Sequence, residues 1–99
     1  MYLHIGKDIG VNIKDIIGIF NIETLNNNEY KEIIGNLDKK VLDISDGKPK
    51  AVILTIENNE KRAYISNILS ITLEKRAKTL FKNFTNWCTI NKDNMYVVR

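Results

Sequence analysis

The run Ala51-Val52-Ile53-Leu54-Thr55-Ile56 is apolar at almost every position, so a strand laid along it has no polar face to offer to water. Such a strand belongs in the middle of a sheet or against a partner. Immediately before it stands Ser45-Asp46-Gly47-Lys48-Pro49-Lys50. Asp46-Gly47 is turn chemistry, because Asp tolerates and Gly favours the positive φ that short turns need. Pro49 fixes its own φ and has no N–H to give a ladder, so the strand proper begins after it. Together the two segments predict a stiff basic hairpin, entered by a short strand over residues 41–44 and left by a strand over 51–57. Lys48 and Lys50 sit at its tip. The local residues allow two readings: a solvated tip that keeps the protein soluble, or a loop that contacts phosphates.

Around this centre the chain punctuates clearly. Leu3-His4-Ile5 and Ile9-Gly10-Val11-Asn12-Ile13 alternate apolar with polar or small residues, the period of half-buried strands, with a turn at Gly6-Lys7-Asp8. After a short break at Lys14-Asp15, residues 16–22 read as a second strand apolar on both faces, and Gly18 inside it predicts a bulge or a close backbone approach. Asn26 and Glu29 have capping-box spacing, and Tyr30, Ile33, Ile34 and Leu37 form one apolar helical face ending near Leu37. Asn58-Asn59-Glu60-Lys61 is a turn before a strand over 62–66, antiparallel to its predecessor. Ser70 suits an N-cap for a helix whose apolar stripe is Leu73, Ala77, Leu80, Phe81 and Phe84, with Lys75, Lys78 and Lys82 on another face. Beyond Phe84 the pattern dissolves, and residues 95–98 are open between a last strand and an ordered tail. The order is β-β-β-α-β-β-β-α, with no long parallel crossover implied: a small α+β domain of antiparallel or mixed sheet and two helices.

Ninety-nine residues make one domain. No apolar run approaches the roughly 20 residues of a membrane helix, and the opening residues lack a signal peptide's basic region and long apolar core, so a cytoplasmic protein with no membrane partner is expected. The net charge of +3 is mild, but from residue 48 to residue 82 Lys and Arg far outnumber Glu57, Glu60 and Glu74. Catalysis finds little footing. His4 is the only histidine and lies in a strand pattern, where a structural imidazole is the ordinary case. Asp43 and Asp46 read as turn-forming acids rather than an acid/base pair, and the single Cys88 has no metal-ligand neighbours. No enzyme, no metal, no cofactor and no small-molecule substrate is expected. Cations on rigid supports lose little entropy on meeting a phosphate, which singles out Lys48 and Lys50, with Lys14 at a strand break beside them in role.

Four stretches then stand out together: Met1-Tyr2-Leu3-His4-Ile5-Gly6; Ile16-Ile17-Gly18-Ile19-Phe20; Gly47-Lys48-Pro49-Lys50-Ala51-Val52-Ile53-Leu54; and Ile65-Ser66 leading to Thr72-Leu73-Glu74-Lys75-Arg76. In order and spacing they resemble the RemA/RemB family of small bacterial regulators, closest to the RemB branch, over about the first 78 residues. The resemblance implies a cytosolic, ring-forming, double-stranded-DNA-binding regulator of extracellular-matrix and biofilm genes. It implies a family domain over 1–84 and a C-terminal extension over 85–99. In the RemA branch the hairpin reads Gly-Arg-Arg-x-Arg-Ala; Lys48 and Lys50 fall on its basic positions in a loop one residue shorter. Asp15 stands where that branch carries an Arg, with Lys14 beside it. Lysine lacks arginine's bidentate fork, which favours simple phosphate contact over groove insertion. The rival reading is an oligomeric adaptor of the same fold that binds protein instead of DNA.

Overall fold

The computed structural model describes residues 2–35, 37, 40–80, 87–90 and 95–98. Strands β1 (Tyr2–Gly6) and β2 (Ile9–Asn12) form a separate antiparallel hairpin, turned at Lys7 and Asp8 with φ of 44° and 59°. Asn12 then accepts the Lys14 amide on its side chain (3.1 Å), which shapes the break into a 3₁₀ turn over Ile13–Asp15. Strand β3 (Ile16–Asn21) runs antiparallel to β5 (Ala51–Glu57), and its register slips between Ile16 and Gly18, the irregularity expected at that glycine. Strand β6 (Glu60–Ser66) folds back on β5 through Asn58 and Asn59, both at positive φ. A two-residue turn of that hand suffices, so β6 starts two residues before the Arg62 expected from composition.

One expectation fails. Strand β4 (Val41–Asp43) does not pair with β5 as a hairpin arm; it lies parallel to β6, with Val41 opposite Ala63 and Asp43 opposite Ile65. The basic segment is therefore a crossing loop that passes β6 to reach β5. Ile44 continues the parallel ladder by donating its amide to Ile65 (2.8 Å). The sheet order is β4-β6-β5-β3, continued by two strands at the C-terminal end of the chain. Its last two members, β7 (Trp87–Ile90) and β8 (Met95–Val98), form an antiparallel pair, and β8 adds to β3 with Gly18 opposite Val97. Residues 95–98 are thus a last strand rather than a tail; the strand at 87–90 is hidden in the sequence by its polar surroundings.

Helix α1 (Asn27–Ile34) carries the expected capping box: Glu29 donates its amide to the Asn26 side chain (2.8 Å) and accepts the Asn26 amide (3.1 Å). It stops at Ile34, earlier than expected, because Gly35 takes the cap position. Leu37 still packs, 7 % exposed, against the same face. Helix α2 (Ser70–Leu80) begins at Ser70 itself, with the Leu69 carbonyl as its first acceptor, so Ser70 is inside the helix and not its N-cap. Phe81, Lys82 and Phe84, expected on its faces, lie outside the described residues.

Alternation along β3 and β5 sends successive side chains to opposite faces. Ile16, Ile19 and Ile53 join Leu3, Ile5 and Leu73 in a core beneath the β1–β2 hairpin and α2. Phe20, Val52 and Leu54 join Ala63, Ile65 and the α1 face in a second core on the other side. Both faces of the apolar strands thus pack within one chain, except at the end of β5, where Ile56 is 39 % exposed. Both apolar strands stand in the interior of the sheet, the first of the two places expected for them. No helix among the described residues is long and apolar enough to cross a membrane.

Candidate nucleic-acid interface

The loop between β4 and β5 is braced from below. Ser45, fully buried, donates both its amide (2.9 Å) and its hydroxyl (2.6 Å) to Asp43 Oδ1. The Ser45 hydroxyl, then the Ser45 amide, hold the Asp43 carboxyl below its ordinary value, and Lys7 adds to the effect. Lys48 donates its amide to the Ser45 carbonyl (3.1 Å), closing a turn whose central residues Asp46 and Gly47 have φ of 54° and 78°. The Asp-Gly pair therefore does what its chemistry predicts. After Pro49 the chain is tied again: the Lys50 amide donates to Ser66 (2.8 Å), and the Lys50 carbonyl accepts from Ile22 (3.1 Å).

These ties separate the two lysines. Lys48 projects from the turn, exposed, with no side-chain partner among the described residues. Lys50 lies at the mouth of β5, and its ammonium pairs with Glu23 Oε1 at 3.1 Å. A third cation, not singled out by the sequence, stands beside them. Lys7, at the tip of the β1–β2 hairpin, reaches Asp46 Oδ1 at 2.6 Å. Its place in a turn is legible, but no local signal marks an ion pair between two turns far apart in the chain.

Lys14 is not part of this group. It precedes Ile16, which pairs with Thr55, whereas Lys50 adjoins Ala51, which pairs with Asn21. At about 3.3 Å per residue, roughly 13 Å of strand separates the two ends of the β3–β5 ladder. Near the Lys14 end of β5, Tyr64 Oη (2.6 Å) and Thr55 Oγ1 (2.8 Å) both donate to Glu57 Oε2. Burial, then the Glu57 hydrogen bond, pushes the Tyr64 phenol up from its ordinary value.

The remaining candidates take other roles. Asp43 is the loop brace and Asp46 the partner of Lys7. His4 is exposed on β1 rather than buried as a structural imidazole, and its backbone carbonyl accepts from Arg76 Nη1 at 3.3 Å. On α2, Lys78 is paired with Glu74, while Lys75 and Arg76 are exposed. Among the described residues no three His, Cys, Asp or Glu side chains gather as metal ligands.

What the loop can do chemically is present one ammonium, carried on a fixed turn and unpaired among the described residues, flanked by two that are already engaged by acids. An incoming phosphate meets Lys48 at no cost in broken pairs; to engage Lys7 or Lys50 it must compete with Asp46 or Glu23. Both are exposed pairs of small net worth, so such exchange is energetically open.

No family model matches the chain. It is 34% identical over 82 residues to extracellular matrix regulatory protein B of Bacillus subtilis, a match covering 83% of this chain and 96% of that protein.

Proposed function

The chain belongs to the RemA/RemB family of extracellular matrix regulatory proteins, and on that premise we propose that it acts on matrix genes by binding double-stranded DNA. It does so as a non-enzymatic, cytoplasmic homo-oligomer that contacts phosphates through the loop before β5. The observation that carries the reading is Lys48: an ammonium with no partner among the described residues, on a turn fixed at both ends by backbone and Asp43–Ser45 hydrogen bonds. Lys50 contributes after exchange from Glu23, and Lys7 joins the same surface. Lys14 acts from the other end of the ladder, on a separate phosphate or beside a neighbouring subunit's loop. Phosphate contacts of this kind position a duplex without reading its bases.

A second reading has one observation in its favour. Asp46 and Glu23 neutralise two of the three cations at the loop, a mixed-charge pattern suited to a protein partner. The family fold would then serve as an oligomeric adaptor.

A mobility-shift titration on long duplex at two salt concentrations decides between them. Lys48→Glu should leave fold and assembly intact and weaken duplex binding. The loss grows if several loops of one assembly engage the same duplex. Lys48→Gln should make the slope of log affinity against log salt shallower by about 0.9 for each phosphate that is no longer neutralised. Equal affinity of Lys48→Glu and parent at the same salt would remove the DNA reading and bring the adaptor forward.

A further inference from the structure

Away from the loop, the outer face of β1 and one face of α2 enclose a groove of about 470 Å³. Its walls follow from the two periodicities: Tyr2 and His4 alternate outward on β1, and Thr72, Lys75, Arg76 and Thr79 fall on one face of α2 at i, i+3, i+4 and i+7. Leu3, whose side chain is fully buried in the core, borders the groove from beneath. The Thr79 hydroxyl is engaged by the Lys75 carbonyl (2.9 Å), so Thr79 offers the groove chiefly its methyl group. Tyr2 is 67 % exposed at the mouth, the most open of the large apolar side chains among the described residues.

The charged side chains on the rim have one sign. Lys75 and Arg76 line the groove beside the His4 imidazole, and among the described residues no Asp or Glu does. Glu74, the nearest acid in sequence, is 7 % exposed and paired with Lys78. Arg76 is held in place by its bond to the His4 carbonyl, which uses one of the five N–H groups of a guanidinium. The others remain for a ligand. The Lys75 ammonium has no partner among the described residues.

We propose that this groove docks an extended acidic segment of a partner protein, seating an aromatic or aliphatic anchor against Tyr2 and the two threonines. Its carboxylates would meet Lys75 and Arg76. Charge complementarity fixes the sign of the occupant, and the open Tyr2 ring beside the Thr79 methyl calls for an apolar anchor. A phosphate backbone draws little from the Tyr2 ring and the Thr79 methyl, which suit an apolar side chain, and a rigid duplex cannot enter a cleft of this size. A single extended peptide can, with alternate side chains directed into the cleft. The site goes beyond the DNA reading and would give the regulator a protein input distinct from its loop.

The test is a titration of ¹⁵N-labelled full chain with the peptide Glu-Asp-Phe-Glu-Leu-Glu-Asp, followed by amide shifts. Changes should concentrate at Tyr2, His4, Thr72, Lys75 and Arg76 and spare residues 46–50. Replacing Phe and Leu of the peptide by Ser should weaken binding several-fold, because only the charge attraction survives. Lys75→Glu with Arg76→Glu should weaken it about tenfold or more. Lys75→Glu alone, at an exposed side chain, should act in the same direction and guards against a folding effect of the Arg76 change. Lys48→Glu should leave peptide binding unchanged. Shifts that map to the loop, equal binding of the Ser peptide, or no binding at millimolar peptide would each overturn the proposal. So would a loss of duplex affinity in Lys75→Glu equal to that of Lys48→Glu, which would assign the groove to nucleic acid. Duplex binding that fails in Lys48→Glu while the peptide still binds leaves the two sites separate.

Discussion

Ser66 is the joint on which the candidate site depends, and its removal makes a quantitative test. The residue is fully buried. Its hydroxyl donates to the Ile5 carbonyl at 2.6 Å and accepts from the Ile68 amide at 3.0 Å, while its own carbonyl receives the Lys50 amide. One side chain therefore ties the β1–β2 hairpin, the entry to α2 and, through the backbone, the basic loop. Ser66→Ala strands a buried carbonyl and a partly buried amide, each at about 1–3 kcal/mol, while the absent hydroxyl relieves some desolvation. The expected destabilisation is about 2–4 kcal/mol. With a urea m-value of about 1–1.5 kcal/mol/M for a small domain, the midpoint should fall by about 2 M. Hydrogen exchange should accelerate first at Ile68. Ser70→Ala is the control: Ser70 is 3 % exposed but makes no side-chain hydrogen bond among the described residues, so its replacement strands no partner and should be neutral or stabilising. If Ser66→Ala costs no more than Ser70→Ala, the hydroxyl is not the joint, and burial alone accounts for its position.

Three further outcomes follow from the geometry. The Asp43 carboxyl is held below its ordinary value of 3.8, so its contribution is complete above about pH 4 and is lost as pH falls through the folded value; Asp43→Asn should flatten that part of the urea midpoint against pH. The Tyr64 phenol is raised above its ordinary value of 10.0, so its contribution is complete below pH 10 and is lost as pH rises through the folded value. Phenolate absorbance should therefore show Tyr64 titrating late, and Glu57→Gln should reduce the lag. Light scattering at micromolar concentration should give several times the 11.4 kDa monomer, with exposed Leu42, Leu69 and Ile71 as candidate buried surfaces; a clean monomer would refute assembly without touching DNA binding.

Features written within a few residues were legible. The Asn26–Glu29 cap, the Asp46-Gly47 turn, the slip at Gly18 and the strand over 51–57 each rest on local backbone preference or on a short period, and each appears as read. The parallel placement of β4 was not, because a short connection rich in turn formers can close a hairpin or cross a neighbouring strand. The choice is made by Ile44 and Ile65, which lie far apart in sequence. The candidate site divided along the same line. That Lys48 stands on a stiff turn was readable; that Glu23, 27 residues away, engages Lys50 was not, since ion pairs between segments leave no pattern in either one. The double-faced apolar strands were legible as interior strands, but a period-two count does not say which elements cover each face.

The pairing of Gly18 with Val97 places nearly the whole chain between two neighbours in one ladder. During synthesis β3 and β5 leave the ribosome well before β8, and the outer backbone groups of β3 wait without a ladder partner. Pairings of such long range form late, since closing the intervening loop must precede any gain from them. Until then β3 has the character of an open edge, able to template strand addition by another nascent copy. Gly18 sits on that edge. A break in strand regularity there is the kind of irregularity that makes a waiting edge a poor template while still admitting its own late partner.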